Sequence, residues 1–208
     1  MNKLAVVVLA LALLMTFAAV PVFAKPPFCC ASTCKTIKRG TFNQGIVQVE
    51  VSPGKSWMTD DVLHVRGGIS ASYLYGAPWG NSLSGTGGKL IALELNTVTA
   101  TGYSWGPVYD TYAAGRTVGI IYNKFTGFGP YTYMGPTFSF TLSGISGTVT
   151  HGDTYFGILF TGFGVKYGVS GALKGLKTMD TYTGVLIEAG PLAGVVLIDN
   201  TVTYKLPG

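Results

Sequence analysis

A few ionisable side chains stand in a pattern that could support acid–base chemistry. Asp60 and Asp61 come directly before a short alternating segment in which His64 and Arg66 project to the same face. A histidine beside carboxylates can take up and release protons near neutral pH. An outward polar face that follows a turn has the same pattern, and it is the interpretation that we favour.

Sequence patterns of other active sites are incomplete. The glycine-rich segment 85–89 lacks the second glycine and the following serine or threonine of a phosphate-binding loop. The serine in segment 144–147 does not have the spacing of a nucleophile elbow. A structural metal site would draw on His64 or His151, the two histidines of the chain. We predict no catalytic residue, no metal and no cofactor, and enzymatic activity stays an open alternative.

Aromatic residues around glycine and proline form the most distinctive pattern. They occur in segments 73–80, 103–109 and 122–133. Tyr and Trp offer flat apolar area with a polar tip, which suits a sugar ring or the lining of an apolar cavity. If these loops meet at one end of the fold, the predicted ligand-binding residues are Tyr75, Trp79, Trp105, Tyr109, Phe128, Tyr131 and Tyr133. Glu94 joins this set if the interior is polar. Packing within the core is the competing interpretation.

The charge pattern indicates a soluble surface. The chain carries 14 Lys and Arg against 9 Asp and Glu, a net charge of +5. We place Lys166 in a small basic cluster with Lys174 and Lys177, and we expect Asp110 to pair with Arg116 across a turn. This scattered charge does not favour a nucleic-acid partner.

The three cysteines, Cys29, Cys30 and Cys34, lie close together. In an oxidising compartment Cys34 could pair with either Cys29 or Cys30, which leaves one sulfur free or bonded to another chain. Such a short loop would be a local clip and would not hold the fold together.

The N-terminus resembles a secretory signal. Lys3 precedes an apolar run over residues 4–20, and small or apolar residues lead to Ala24. We predict a signal peptide over 1–24, a cysteine-containing arm over 25–40, one β-barrel domain over 41–208, and a secreted, periplasmic or cell-surface protein. An uncleaved anchor at 4–23 is the alternative. We expect no integral membrane domain in the mature chain, because no later stretch reaches the roughly 18 apolar residues of a spanning helix.

Alternating hydrophobicity and frequent turn signals predict an all-β domain. The segments around 47–51, 91–96 and 138–142 alternate apolar and polar residues, and Gly-Pro pairs separate them from their neighbours. The expected strands are 45–51, 62–75, 89–103, 116–125, 136–150, 154–163, 167–177, 181–188 and 193–204. About eight to ten strands without helices favour one antiparallel barrel, with a two-sheet β-sandwich as the alternative. Glycines inside the strands are expected to mark bends and bulges.

In its general pattern the chain is similar to small secreted barrels of the lipocalin, avidin and dirigent or allene-oxide-cyclase kinds. This resemblance concerns the fold and carries over no site residue.

Three segments, 118–122, 155–160 and 194–198, are apolar on both faces. A strand buried on both faces needs a second layer. The N-terminal arm, a long loop or a neighbouring subunit could supply it.

Three functions follow. The first is a secreted, non-catalytic barrel that binds a small apolar molecule, a glycan or another protein at its aromatic end. The second is a structural surface protein that assembles through its two-sided strands as a homo-oligomer. The third is a cofactor-free enzyme of the cyclase or dirigent type.

Overall fold

The computed structural model describes residues 39–206, with the backbone alone at residues 83–87. The predicted signal segment and the three cysteines lie outside these residues. The strands are β1 (Arg39–Ser52), β2 (Lys55–Thr59), β3 (Val62–Arg66), β4 (Ile69–Tyr75), β5 (Ser82–Lys89), β6 (Ala92–Asn96), β7 (Thr101–Tyr112), β8 (Gly115–Thr132), β9 (Phe138–Leu142), β10 (Ile145–Val149), β11 (Thr154–Gly168), β12 (Lys177–Ile187) and β13 (Val196–Lys205). A 3-10 turn, η1 (Gly171–Leu173), follows β11.

Eight strands close into a ring of antiparallel pairs. Their order is β7-β5-β4-β1-β13-β12-β11-β8, and β8 pairs back along the whole length of β7. The first and last described strands are neighbours, with Arg39 opposite Lys205. The prediction of a nearly all-β, antiparallel structure is therefore confirmed.

The single barrel does not account for the whole structure. One edge of β7 serves two strands: β6 pairs with residues 101–105, whereas β5 pairs near Val108 and Tyr112. Through β6, strands β3 and β2 form a branch outside the ring. A second sheet of two strands, β9 and β10, stands apart from the large one. The sandwich alternative fits no better, because this second sheet is far smaller than the first.

The small sheet also corrects the strand expected at 136–150. Ser143 and Gly144 have φ of 50° and 82°, and this pair of left-handed residues makes a two-residue hairpin turn. We call this hairpin, residues 138–149, the cover. Three other segments that were predicted as single strands are interrupted. Segment 62–75 is divided after Arg66, segment 89–103 turns after Asn96, and segment 167–177 contains η1.

The cover supplies the second layer for two of the three segments that are apolar on both faces. Its buried Phe138, Phe140 and Val149 pack on the outer face of the ring, against residues such as Val47 and Leu197. Segments 155–160 and 194–198 lie beneath this layer. Segment 118–122 does not, and its outward Tyr122 is 40% exposed.

A second core fills the ring. Inward residues of seven elements contribute to it, namely Ile46, Leu74, Tyr112, Phe160, Leu173, Tyr182, Ile198 and Tyr204. Glycines in the strands make room for these side chains. A Cβ on Gly162 would lie 2.2 Å from the Tyr182 ring, although β11 keeps its register there. The register shows no bulge at Gly162, and close packing of the Tyr182 ring explains the glycine there.

Within the described residues, the one helical element is the three-residue η1, so no helix there could cross a membrane.

Candidate functional site

The structure distributes the predicted aromatic residues over four places. Phe128 lies on β8, where it is 55% exposed and packs on Phe156. Tyr75, Tyr131 and Tyr133 pack around the cover. Trp79 lies in the core of the ring. Trp105 and Tyr109 stand on the outer face of β7, because alternate residues of a strand point to opposite sides. The fold therefore does not gather these residues into a mouth at one end.

The tyrosines near the cover make structural contacts. Tyr75 stacks on Phe138 with ring centroids 5.2 Å apart. The Tyr131 hydroxyl donates to Asp199 Oδ2 at 2.7 Å, and the backbone N–H of Met134 donates to the same oxygen at 2.8 Å. Burial raises the pKa of Tyr131 above its usual range, and the bond to Asp199 adds to this shift. Together these bonds fix the point where the chain leaves β8 for the cover.

Trp79 closes the core at one end of the ring. It meets Phe42 and Tyr204 edge to face, each with ring centroids 5.2 Å apart, and it meets Tyr112 at 6.0 Å. These contacts favour the packing interpretation for this residue.

Trp105 belongs to a row of parallel rings on the outer face of the ring of strands. Register places Trp105 opposite Tyr122 and Tyr122 opposite Phe163. The centroid distances are 6.2 Å and 5.0 Å, and both interplanar angles are 18°. Phe163 is 54% exposed, so the row presents apolar ring surface to solvent.

Further aromatic residues extend this row. We call the set the aromatic face; its members are Tyr103, Trp105 and Tyr109 on β7, Tyr122 on β8, and Phe163 and Tyr167 on β11. Half-buried Ile120 and Val165 fill the space between the rings. Sequence reasoning missed Tyr103, Tyr122, Phe163 and Tyr167 as site residues, although Tyr103 and Tyr122 begin two of the aromatic segments that it singled out.

A polar row leads to the aromatic face from the branch. Cross-strand pairing aligns Trp57, His64, Glu94, Tyr103 and Lys124 in that order. The Trp57 and His64 rings stack at 5.2 Å. A hydrogen bond to Glu94 raises the pKa of the Tyr103 hydroxyl. Glu94 therefore lies on the outside of the fold, at the edge of the aromatic face.

This row does not form an acid–base pair. His64 Nδ1 and Glu94 Oε1 are 3.9 Å apart, which is too long for a hydrogen bond. Asp60 and Asp61 lie in and beside the turn between β2 and β3, and Arg66 lies 5.7 Å from the Trp57 ring. The favoured interpretation, a polar face after a turn, agrees with these positions.

Two shallow grooves run beside Tyr103 and Lys124. One is bounded by residues 101–103 and 124–126. The other is lined by residues 103–105, 122–124 and 161–163. Both are open to solvent, so the aromatic face offers an extended surface and not an enclosed cavity.

No family model, characterised protein or solved structure matches this chain.

Buried charges form a second polar cluster, inside the ring. Lys166 Nζ lies 2.9 Å from Asp110 Oδ2 and 2.9 Å from Asp180 Oδ2. Burial lowers the pKa of Lys166, but the two carboxylates outweigh burial and hold it well above its usual range. Lys166 is thus not part of a surface cluster, and the partner of Asp110 is Lys166 instead of Arg116.

Proposed function

We propose that this protein is a secreted, non-catalytic binding protein that holds a glycan chain on its aromatic face. The observation that carries the proposal is the row of parallel rings formed by Trp105, Tyr122 and Phe163 on the outer face of the ring of strands, where Trp105 is half-buried and the other two rings are exposed. The proposed secretion rests on the sequence of residues 1–24 alone.

A row of polar groups lies beside the row of aromatic rings on this surface, and a sugar chain needs both kinds of contact. A pyranose ring presents apolar C–H groups that pack on aromatic side chains, and its hydroxyls need hydrogen-bond partners. Glu94, the Tyr103 hydroxyl and Lys124 lie in one cross-strand row beside the aromatic rings. The open grooves suit several linked sugars better than one small apolar molecule, which would need to be enclosed.

The carboxylates at this face favour binding over cleavage. Glycoside hydrolysis normally uses two carboxyl groups, roughly 5–9.5 Å apart, on either side of the scissile bond. Among the aromatic face and the polar row as defined above, Glu94 is the single carboxylate.

The proposal predicts that Trp105→Ala combined with Tyr122→Ala abolishes retention by the glycan that the wild-type protein binds. We expect at least a tenfold loss of affinity, about 1.4 kcal/mol, because two stacking surfaces are removed. The measurement is affinity electrophoresis in gels that contain soluble β-glucan, xylan, mannan or glycol-chitin, followed by titration with the retained glycan.

Phe128→Ala is the matched control. Phe128 is 55% exposed and packs edge to face on Phe156, away from the aromatic face. This variant should bind as the wild-type protein does. A wild-type protein that none of the four glycans retains, or a double variant that binds normally, would contradict the proposal.

Self-assembly is the second candidate, and the free edge of β2 favours it. In the described sheet β2 pairs with β3 alone, and all five of its residues are exposed. An unpaired edge can add a strand from another chain, although Lys55 at the start of β2 is the kind of residue that discourages such pairing.

If self-assembly is the function, light scattering after size-exclusion chromatography will give a mass that rises with protein concentration. Met58→Pro should then lower that mass, because proline removes a backbone donor from the edge strand. A protein that stays monomeric over a hundredfold range of concentration rejects this candidate.

A further inference from the structure

The charge cluster inside the ring of strands places one amino group in contact with two carboxyl groups. Lys166, Asp110 and Asp180 are 7%, 4% and 1% exposed. They come from three strands, β11, β7 and β12, so the fold holds the three side chains together. One ammonium between two carboxylates leaves an excess negative charge in the interior, and such a charge is costly to bury.

Local geometry directs the lysine towards Asp110. Lys166 lies opposite Gly119 of β8, and Asp110 lies on β7 two residues along from Val108, which is the partner of Gly119 there. A Cβ on Gly119 would come within 2.7 Å of Lys166 Cγ, so the glycine leaves space for the lysine stem to cross β8. Without a side chain at position 119, the lysine can reach a strand that is not its neighbour.

The two aspartates receive different hydrogen bonds. The Thr178 hydroxyl donates to Asp180 Oδ1 at 3.0 Å, while Lys166 occupies Oδ2, so each oxygen of Asp180 has its own donor. At Asp110 both donors, Lys166 and the Thr117 hydroxyl at 3.3 Å, meet the same oxygen, Oδ2. Asp180 is therefore held as a carboxylate that can accept a proton, whereas donors at a single oxygen polarise the carboxyl group of Asp110.

We propose that Lys166 and Asp110 form an intramolecular amide bond, with Asp180 as the group that transfers the protons. The bond would join β7 to β11 across β8. It is a modification of the protein itself and is independent of the proposed glycan binding.

The reaction balances without a further reactant. Proton transfer from the ammonium to the nearby carboxylates gives an amine beside a neutral carboxylic acid, which reduces the three buried charges to one. Nζ of Lys166 then attacks Cγ of Asp110, and an N–C bond forms. Asp180 takes a proton from the nitrogen and delivers it to the departing hydroxyl, and the C–O bond breaks. One water leaves, and Asp180 is again a carboxylate.

The neutral form is a minor one, because the carboxylates keep the pKa of Lys166 high. A small population is sufficient, since each amide that forms removes molecules from the equilibrium. Burial of the cluster also keeps bulk water away from the product, which opposes hydrolysis.

The test is the intact mass of the purified, folded protein after reduction, compared with the mass calculated for the N-terminus found by sequencing. We expect a deficit of one water. Fragmentation of a proteolytic digest should then show a branched peptide that joins Lys166 to Asp110. Lys166→Arg and Asp110→Ala should each restore the full calculated mass for the variant, and Asp180→Asn should slow or prevent the loss of water.

Several results would overturn the proposal. A wild-type protein that is folded by circular dichroism and has the full mass excludes the bond. A deficit mapped to Asp180, or to a cyclic imide elsewhere in the chain, refutes the assignment of Asp110. If the variants fail to fold, the wild-type mass and the peptide map still decide the question.

Discussion

Replacing Lys166 with methionine is expected to lower the free energy of unfolding by about 3–5 kcal/mol. The substitution keeps much of the side-chain volume but removes the cation between Asp110 and Asp180, which are 4% and 1% exposed. Two like charges then remain in the interior without a cation between them, and one threonine hydroxyl bond to each does not neutralise them. Chemical denaturation with urea, followed by circular dichroism, measures the loss.

The pH dependence of this variant has a defined sign. With the lysine gone, each proton that the cluster takes up removes one of the two buried negative charges and their mutual repulsion, so the deficit relative to wild type should shrink as the pH falls. A deficit that grows on acidification would contradict this account.

A neutral cluster provides the control. Lys166→Met combined with Asp110→Asn and Asp180→Asn removes every charge, and we expect it to recover at least half of the lost stability. If the proposed amide forms, Lys166→Met also loses a cross-link, and its deficit exceeds this range. A single substitution that costs less than about 1 kcal/mol would show that the charges do not matter for folding.

Replacing Phe138 with alanine is expected to cost about 3–5 kcal/mol, the usual range for a buried phenylalanine. Phe138 is 5% exposed and contacts the rings of Tyr73, Tyr75 and Phe140. Its loss opens the layer between the cover and the large sheet. Thermal or urea denaturation gives the global effect, and hydrogen exchange shows whether residues 138–149 open before the ring does.

Ser139→Ala is the matched control in the same strand. Ser139 points to the exposed side of the cover, where its hydroxyl shares a hydrogen bond with Thr148 at 2.8 Å. We expect a loss below about 1 kcal/mol. Equal effects of the two substitutions would mean that the cover does not depend on its buried face.

The strands were largely predictable because their alternating pattern is a local property. The hairpin within 136–150 was missed for an equally local reason: both halves alternate, and Ser143-Gly144 is a weaker turn signal than the Asn-Gly or Asp-Gly pairs. The need for a second layer was predicted, but its source was expected in the N-terminal arm, a long loop or a neighbouring subunit, and the β9–β10 hairpin supplies it instead. That choice depends on how the large sheet curves, which no local pattern encodes.

The composition of the candidate site was visible in the sequence, but its assembly was not. Trp105, Tyr122 and Phe163 become neighbours through the registers of β7, β8 and β11. Lys166 and Asp110 meet because the ring closes and because Gly119 leaves space between them. Sequence reasoning placed both of these charged residues at the surface, since single charged side chains are normally solvated.

The pairing of Arg39 with Lys205 determines how the ring would carry a mechanical load. β1 and β13 run antiparallel, so tension applied at these two residues would part their hydrogen bonds one after another, beginning at the pulled end. A peptide ladder opened in this way resists far less than one sheared along its length. The Lys166–Asp110 region lies on β11 and β7, away from this seam, so it would bear force only after β1 and β13 had separated.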